Sequence, residues 1–272
     1  MSYKKILAIL AHPDDETLGF GGTLARYAEM GIETHLVCAT RGQRGWFGAP
    51  DDYPGPDALG VIREDELRQA AQILNLRSVH LLNYMDGDLD QAEPQSIIHQ
   101  LATHIRRVRP EVVLTFDPFG VYGHPDHIAI AQFTTAAVVE AASNAYGNGM
   151  PPHQVETLYY RVLTQAELAA YQSAFGELVM TIGGVERRAA PWPEWAVSTC
   201  IDTSAYVAQV WQAVRAHCSQ LPGYERLMAL PHNDQQAIFG SQTFYRAFSF
   251  TAGGRLQATE LFQNEQIALL AT

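Results

Sequence analysis

Several features that would point to other classes of protein are scarce in this sequence. Its three cysteines, Cys38, Cys200 and Cys218, lie far apart and form no CxxC pair. This spacing argues against a disulfide framework and a cysteine-based structural zinc site, and it predicts a reducing, cytoplasmic setting. No window reaches the roughly 18 apolar residues that a membrane-spanning helix needs. The short apolar stretch near the N-terminus runs straight into charge, which is not typical of a signal peptide.

Positive charge is also in short supply. The 272 residues carry 18 Lys and Arg against 29 Asp and Glu, which gives a formal net charge of −11. Nucleic acids and anionic membranes bind basic surfaces, so neither is expected as a partner. A small neutral or cationic substrate fits this charge better. Internal repeats, low-complexity tracts and flexible linkers are absent from the sequence as well.

Strands and helices alternate over residues 1–145. Apolar runs predict strands over 6–11, 34–39, 79–82 and 111–116, and helical spacing predicts helices over 17–30, 61–74, 94–108 and 125–142. A long Gly- and Pro-rich loop over 41–60 separates the second strand from the next helix. This alternation is typical of right-handed βαβ units and predicts an α/β fold. We expect a doubly wound, mostly parallel sheet with helices on both faces.

The pattern is mixed after residue 146. Strands are predicted over 158–163, 196–201 and 244–250, and helices over 165–175 and 204–219. We therefore expect one domain over 1–272. Its core would span 1–145, and a C-terminal α+β extension over 146–272 would pack on the same core.

Polar clusters follow four of the predicted strands. The clusters are AHPDDE, ATRGQRG, NYMDG and FDPFGVYGHPDH. Because the ligand crevice of such a sheet lies beyond the carboxyl ends of its strands, these clusters should meet at one rim.

Two of the clusters carry potential metal ligands. His12 and Asp15 are three residues apart, and so are His124 and His127, with Pro125 suited to the first position of a helix. Two histidines and a carboxylate from neighbouring strand ends make a facial ligand set that suits zinc and leaves room for water. The same set suits ferrous iron. Spacing alone does not decide which of Asp14 and Asp15 would bind the metal.

Each cluster taken alone could serve only a structural role, without a metal. An Asp at a helix start stabilises the helix by about 1 kcal/mol as a cap. The two clusters together favour a metal, because several carboxylates and histidines at one buried rim are costly unless they are paired or metal-bound.

The chain also resembles the LmbE/PIG-L family of zinc-dependent N-deacetylases. HPDDE after the first strand and GHPDH after a later one carry the resemblance. Further likenesses are Arg63 to Leu67 with the RxxEL helix, Tyr84 to Gly87 with the YxDG turn, and His217 to Gln220 with the HxSQ element. The resemblance implies a Rossmann-like fold and removal of an acetyl group from an N-acetylglucosamine unit. It also suggests a homo-oligomer.

Carried over position by position, the resemblance implies His12, Asp15 and His127 as ligands of one zinc ion, with Fe²⁺ or another divalent metal as the alternative. It makes Asp14 the general base, and His124 a polarising acid oriented by Asp126. A metal ion would acidify a bound water and polarise the amide. A carboxylate beside that water would move its proton to the leaving amine, a step worth about 10²–10⁴-fold. Asp126 would fix the tautomer of His124 and raise its pKa.

Four further residues are candidates for substrate binding. Arg63 and Asp86 suit sugar hydroxyls, and the resemblance directs them at the substrate. Tyr122 stands two residues before His124 and could bond the oxyanion, and Gln220 follows the matched late element. Each also has a structural reading, as a solvated helix arginine, a turn aspartate, a packing aromatic or a helix-end amide. The loop over 41–60 could close over a sugar, although its length alone does not establish a lid.

Three other functions are considered beside the deacetylase. A dinucleotide-binding module fits poorly, because Leu24 stands where the third glycine of the fingerprint belongs and no acid ends the second strand. A metal-dependent hydratase would keep the same ligands, since a fold does not settle the reaction. A non-catalytic metal or sugar binder would have no need for Asp14.

Overall fold

The computed structural model describes residues 4–144, 149–177, 179–182 and 184–249. Its strands are β1 (Lys5–Leu10), β2 (Glu33–Thr40), β3 (Ser78–Tyr84), β4 (Val112–Phe116), β5 (Thr157–Arg161), β6 (Val179–Ile182), β7 (Val185–Arg188), β8 (Thr199–Asp202) and β9 (Ser241–Ser249). Its α-helices are α1 (Asp15–Leu18), α2 (Gly21–Glu29), α3 (Pro56–Ile73), α4 (Pro94–Val108), α5 (Gly120–Gly123), α6 (Pro125–Ala142), α7 (Gln165–Phe175), α8 (Val207–Ala216), α9 (Leu221–Met228) and α10 (His232–Phe239).

The main sheet has the strand order β3-β2-β1-β4-β5-β9-β8, and β6 and β7 form a separate hairpin. Strands β1 to β5 pair in parallel, whereas β9 pairs antiparallel with both β5 and β8. The predicted Rossmann-like, mostly parallel sheet with a C-terminal α+β extension is thus confirmed.

The helices cover both faces of this sheet. The chain leaves β1 towards β2 but leaves β4 towards β5, in the opposite direction, so right-handed connections put their helices on opposite faces. Helices α4 and α6 pack together, while α2 and α3 pack against α8. The central strand β1 is consequently almost fully buried, and residues 6–11 are inaccessible to solvent.

Local sequence explains where several helices begin. Glu93 caps α4 by accepting hydrogen bonds from two backbone N–H groups, and Thr164 with Glu167 forms a capping box at α7. Prolines occupy the first turns of α3, α4 and α6. The predicted helices over 94–108, 125–142 and 165–175 agree with α4, α6 and α7.

Other boundaries differ from the prediction. The helix expected over 17–30 is divided between α1 and α2, and the Gly19 carbonyl at the break accepts a hydrogen bond from Arg161 Nε at 3.0 Å. The loop expected over 41–60 ends earlier, because Pro56 begins α3. The strand expected over 196–201 lies at Thr199–Asp202, and the helix over 204–219 shortens to α8 between two 3-10 turns. The strand expected over 244–250 corresponds to β9, with Phe250 outside the described residues.

The hairpin β6–β7 and the helices α9 and α10 were not predicted. No helix in the described part of the chain is both long enough and apolar enough to cross a membrane.

Candidate active site

The polar clusters meet at the point where the sheet reverses its winding. AHPDDE follows β1, and the GHPDH segment follows the neighbouring strand β4. Chains diverge from these two strands in opposite directions, which opens a crevice at their carboxyl ends. The turn after β3 brings Asp86 to the same crevice, and α3 and the segment after α8 bring Arg63 and Gln220.

His12, Asp15 and His127 lie together as a buried donor set. His12 Nδ1 is 3.2 Å from His127 Nε2 and 3.6 Å from Asp15 Oδ2, and His127 Nε2 is 3.3 Å from Asp15 Oδ1. Ligand atoms about 2.0–2.1 Å from a tetrahedral zinc ion are about 3.3 Å from one another. Two facing ring nitrogens and a carboxylate at these separations fit a single divalent ion.

The other nitrogen of His12 is held by two more carboxylates. Its Nε2 lies 3.1 Å from Asp126 Oδ2 and 3.1 Å from Asp86 Oδ1. Burial lowers the pKa of His12, but hydrogen bonds with Asp126, Asp15 and Asp86 raise it well above its usual value. A carboxylate behind a histidine orients the ring and makes it a stronger metal ligand. Asp86 and Asp126 therefore occupy the position that supports His12.

Asp126 bonds differently from the sequence-based expectation. Its carboxylate accepts hydrogen bonds from the backbone N–H groups of Gly87 at 2.7 Å and Leu89 at 3.1 Å, in addition to the contact with His12. Only its backbone N–H reaches His124, donating to Nδ1 at 3.2 Å. Asp126 thus couples the turn after β3 to His12, and it fixes the His124 ring through the helix start of α6.

The His124 ring is packed between the other aromatic groups of the site. Its centroid is 4.8 Å from the His12 ring, 5.0 Å from the His127 ring and 6.0 Å from the Tyr122 ring. Burial and the neighbouring His12 and His127 rings lower the pKa of His124 to about 4, outweighing the attraction of Asp126. The expected rise of its pKa is not seen, and His124 is neutral at pH 7.

Tyr122 belongs to the same wall of the site. Its ring centroid lies 5.1 Å from that of His127, in an edge-on arrangement. Burial and the nearby carboxylates, Asp15 first among them, raise the pKa of Tyr122 well above its usual value, so the hydroxyl keeps its proton. The preceding Val121 adopts a positive φ of 65°, and its N–H donates to Asp117 Oδ1 at 2.8 Å, which fixes this turn.

Asp14 bonds residues outside the donor set. Its Oδ2 accepts hydrogen bonds from Arg63 Nη2 at 3.0 Å and from the Tyr224 hydroxyl at 2.7 Å. Its backbone is left-handed, with a φ of 95°. This uncommon conformation turns consecutive acids to different partners.

Arg63 and Gln220 are buried rather than exposed in the crevice. Arg63 also donates to the carbonyls of Pro13 at 2.6 Å and Gly42 at 2.9 Å. The Gln220 amide donates to the Gly45 carbonyl at 2.9 Å. Both side chains therefore anchor the loop that follows β2. Their binding of substrate stays a prediction, as it does for Asp86 and Tyr122.

Sequence reasoning missed several groups of this region. Glu16, the last acid of HPDDE, pairs with His217 at 2.8 Å, and neither side chain is accessible to solvent. Glu66 accepts hydrogen bonds from the backbone N–H and hydroxyl of Ser219, each at 2.7 Å. These pairs join matched motifs, so a search for partners among them could have found both. Tyr224 lies in the unpredicted helix α9 and had no such signal.

Comparison with known proteins agrees with these motifs. Residues 7–138 match the family model described as PIG-L, GlcNAc-PI de-N-acetylase. A 1D-myo-inositol 2-acetamido-2-deoxy-alpha-D-glucopyranoside deacetylase of Kineococcus radiotolerans is 32% identical over 95% of this chain and 82% of its own length. A deacetylase of the same description from Rhodococcus jostii is 34% identical over 81% of this chain and 83% of its own length.

Solved structures share the fold. N,N'-diacetylchitobiose deacetylase of Pyrococcus horikoshii superposes with a TM-score of 0.66 at 22% identity, covering 89% of this chain and 83% of its own. The 4-carboxy-2-hydroxymuconate hydratase of Pseudomonas putida also has a TM-score of 0.66 at 22% identity, covering 92% of this chain and 99% of its own. Because a hydratase and a deacetylase superpose equally well, the fold does not identify the family. The relatives with 32% and 34% identity do. Their identity and coverage confirm the resemblance seen in the sequence, and this chain belongs to the PIG-L family of de-N-acetylases.

Proposed function

We propose that this protein is a metal-dependent hydrolase that removes the N-acetyl group from a small amino sugar of the N-acetylglucosamine type. The observation that carries the proposal is that Asp14, adjacent in the chain to the donor set, is bound by side chains outside it. A carboxylate beside a metal site but held by other partners is the arrangement that amide hydrolysis needs for a base. The deacetylase relatives support the same reaction and an inositol-linked N-acetylglucosamine as the substrate.

His12, Asp15 and His127 would hold the metal, with zinc as its identity. The ion would supply Lewis-acid chemistry, acidifying a water molecule and polarising the amide carbonyl. Asp86 and Asp126 hold His12 Nε2, so that Nδ1 faces the other two ligands. The buried carboxylates of Asp86 and Asp126 thus fix the orientation of the His12 ring as a ligand.

Asp14 would accept the proton of the attacking water and deliver it to the nitrogen of the leaving amine. His124 and Tyr122 line the side of the site formed by α5 and the start of α6. Both are neutral hydrogen-bond donors near the donor set, which suits stabilisation of the oxygen that gains negative charge during attack. Arg63 and Asp86 would contribute contacts to sugar hydroxyls beside their observed partners.

Release of free amine tests this function directly. The metal-stripped protein would be assayed against a panel of N-acetylglucosamine conjugates, including an inositol conjugate and a chitobiose unit, with Zn²⁺ or Fe²⁺ added back. Activity that depends on the metal and is absent in an Asp14→Asn variant would establish the deacetylase. Stoichiometric metal without amine release from any conjugate would favour the hydratase instead. Failure to bind metal at all would exclude both.

We further infer that the described strands and helices belong to one domain, because β9 and β8 extend the same sheet from β5. A cytoplasmic location and homo-oligomerisation stay predictions.

A further inference from the structure

The backbone at Asp14 is held in place by the C-terminal part of the chain. The Asp14 N–H donates to Glu16 Oε2 at 2.9 Å, and the other oxygen of Glu16 bonds His217 Nε2 at 2.8 Å. A left-handed conformation such as that of Asp14 persists only where its surroundings fix it. The buried Glu16–His217 pair fixes the backbone of Asp14 in this way. Among the hydrogen bonds that the structure describes, none joins this pair to the Asp14 carboxylate, whose orientation is set by other side chains.

Both side-chain donors to Asp14 bind the same carboxylate oxygen. Arg63 Nη2 and the Tyr224 hydroxyl meet Oδ2 at 3.0 and 2.7 Å. Among the described residues, no hydrogen bond is made to Oδ1. The side chain is thereby fixed by one oxygen, and the other is left as the acceptor.

Arg63 and Tyr224 differ in the other hydrogen bonds that they make. The guanidinium of Arg63 also bonds the Pro13 and Gly42 carbonyls, so its position is set by backbone. The hydroxyl of Tyr224 bonds the Asp14 carboxylate alone within the described part of the chain. Burial, and next the charge of Asp14, raise the pKa of Tyr224 well above its usual value, so the hydroxyl remains a donor.

The position of Tyr224 is itself built into the fold. It lies in α9, where Pro222 occupies the first turn. The Phe47 ring lies directly over the neighbouring Gly223, since a Cβ atom at that glycine would come within 3.0 Å of the ring. The loop after β2, which carries Phe47, therefore covers the helix in which Tyr224 lies.

We propose that Tyr224 is a positioning residue for the general base. It holds Asp14 by Oδ2, so that Oδ1 is the oxygen that accepts the proton of the attacking water. The inference rests on the proposed deacetylase function and deepens it, because it assigns a part of the machinery to the C-terminal extension. Tyr224 acts through Asp14 and makes no contact with substrate.

The Tyr224→Phe variant tests this role, because it removes only the hydroxyl. A hydrogen bond to a charged group accounts for a loss of about tenfold to 100-fold in rate. We expect kcat and kcat/KM to fall together by that factor, with KM, bound zinc and melting temperature close to wild type. Tyr171→Phe is the matched control. Tyr171 lies in α7, packs against the buried apolar residues of α8, α9 and α10, and makes no hydrogen bond in the described structure. It should keep wild-type activity.

Wild-type kcat in Tyr224→Phe would overturn the proposal, and so would a rise in KM at unchanged kcat, which would make Tyr224 a substrate contact. A double-mutant cycle with Asp14→Asn adds a second criterion. If Tyr224 acts through Asp14, its loss should leave the residual activity of Asp14→Asn unchanged. The same fold loss in both backgrounds would contradict the proposal.

Crystal structures of the wild type and Tyr224→Phe give a readout that does not depend on turnover. We expect the Asp14 side chain to rotate or to occupy a second conformer in the variant. An unchanged single conformer would refute a positioning role even for an enzyme whose substrate is still unknown. Absence of amine release by the wild type would instead refute the proposed function.

Discussion

Asp14 and Asp15 are consecutive in the chain, yet their carboxylates contact different partners. Asp15 lies 3.3 Å from His127, whereas Asp14 lies 3.0 Å from Arg63. The positive φ of Asp14 produces this divergence. One acid thereby joins two histidines, while its neighbour stays outside the donor set, in keeping with the base that we propose.

Replacing Asp14 with Asn separates these two roles. The change keeps the shape of the side chain but removes its capacity to accept a proton. We expect turnover to fall by at least about 10²-fold, which general base catalysis supplies, while bound zinc measured by plasma mass spectrometry stays at the wild-type level. Loss of the metal in Asp14→Asn would show that Asp14 is a ligand and would overturn the assignment.

The metal set itself is tested by comparing two histidines. The described residues contain a second group that could hold an ion, His12 with His124 and Asp126. We expect His127→Ala to lose bound zinc and His124→Ala to retain it, with a fall in kcat of about 10²–10³-fold for the loss of an oxyanion donor. Equilibrium dialysis against zinc measures both affinities. Retention by His127→Ala with loss by His124→Ala would place the ion in the second group.

The Glu16–His217 pair should matter for stability as well as for the site. Replacing His217 with Ala leaves the Glu16 carboxylate buried without its partner. Breaking a buried pair on one side lowers the free energy of unfolding by about 3–5 kcal/mol, which urea denaturation of the metal-free protein measures. Cys218→Ser is a matched control, because Cys218 is adjacent in the chain but exposed. Equal stability of the two variants would mean that the pair contributes nothing.

Stability should also depend on pH through His104. Burial, then the neighbouring His80 and Arg107, lower the pKa of His104 from its ordinary 6.5 to about 4. Between these values the unfolded chain binds a proton that the folded chain does not, so the free energy of unfolding falls as pH decreases from 6.5 towards 4. We expect His104→Gln to weaken this dependence in urea titrations at pH 7 and 5.

His99→Gln controls for the loss of an imidazole ring from the same helix. The His99 side chain is half-exposed and pairs with Glu140 rather than with another histidine. The variant's slope with pH is measured beside that of His104→Gln. If His104→Gln and the wild type lost stability in parallel, the dependence would have to come from other groups, such as the similarly lowered His80.

Much of the fold follows from the sequence because it depends on local patterns. The apolar run over 6–11 and the prolines at 94 and 125 define a buried strand and two helix starts without any distant contact. The alternation of strands and helices then places HPDDE and GHPDH at one rim, since parallel strands present their carboxyl ends together. The hairpin β6–β7 escaped prediction because each strand has only four residues, and the mostly exposed β7 shows no alternation of buried and exposed positions.

The partners of each site residue were decided only by the tertiary structure. The spacing of His12 and Asp15 predicted a ligand pair, but the left-handed turn at Asp14 selects which acid faces His127. The backbone of the turn after β3 draws the Asp126 carboxylate towards His12. Tyr224 reaches Asp14 across 210 residues of sequence. Such contacts depend on strand register and helix packing, which a one-dimensional pattern does not contain, whereas residue type and order already determined the chemistry that those contacts bring together.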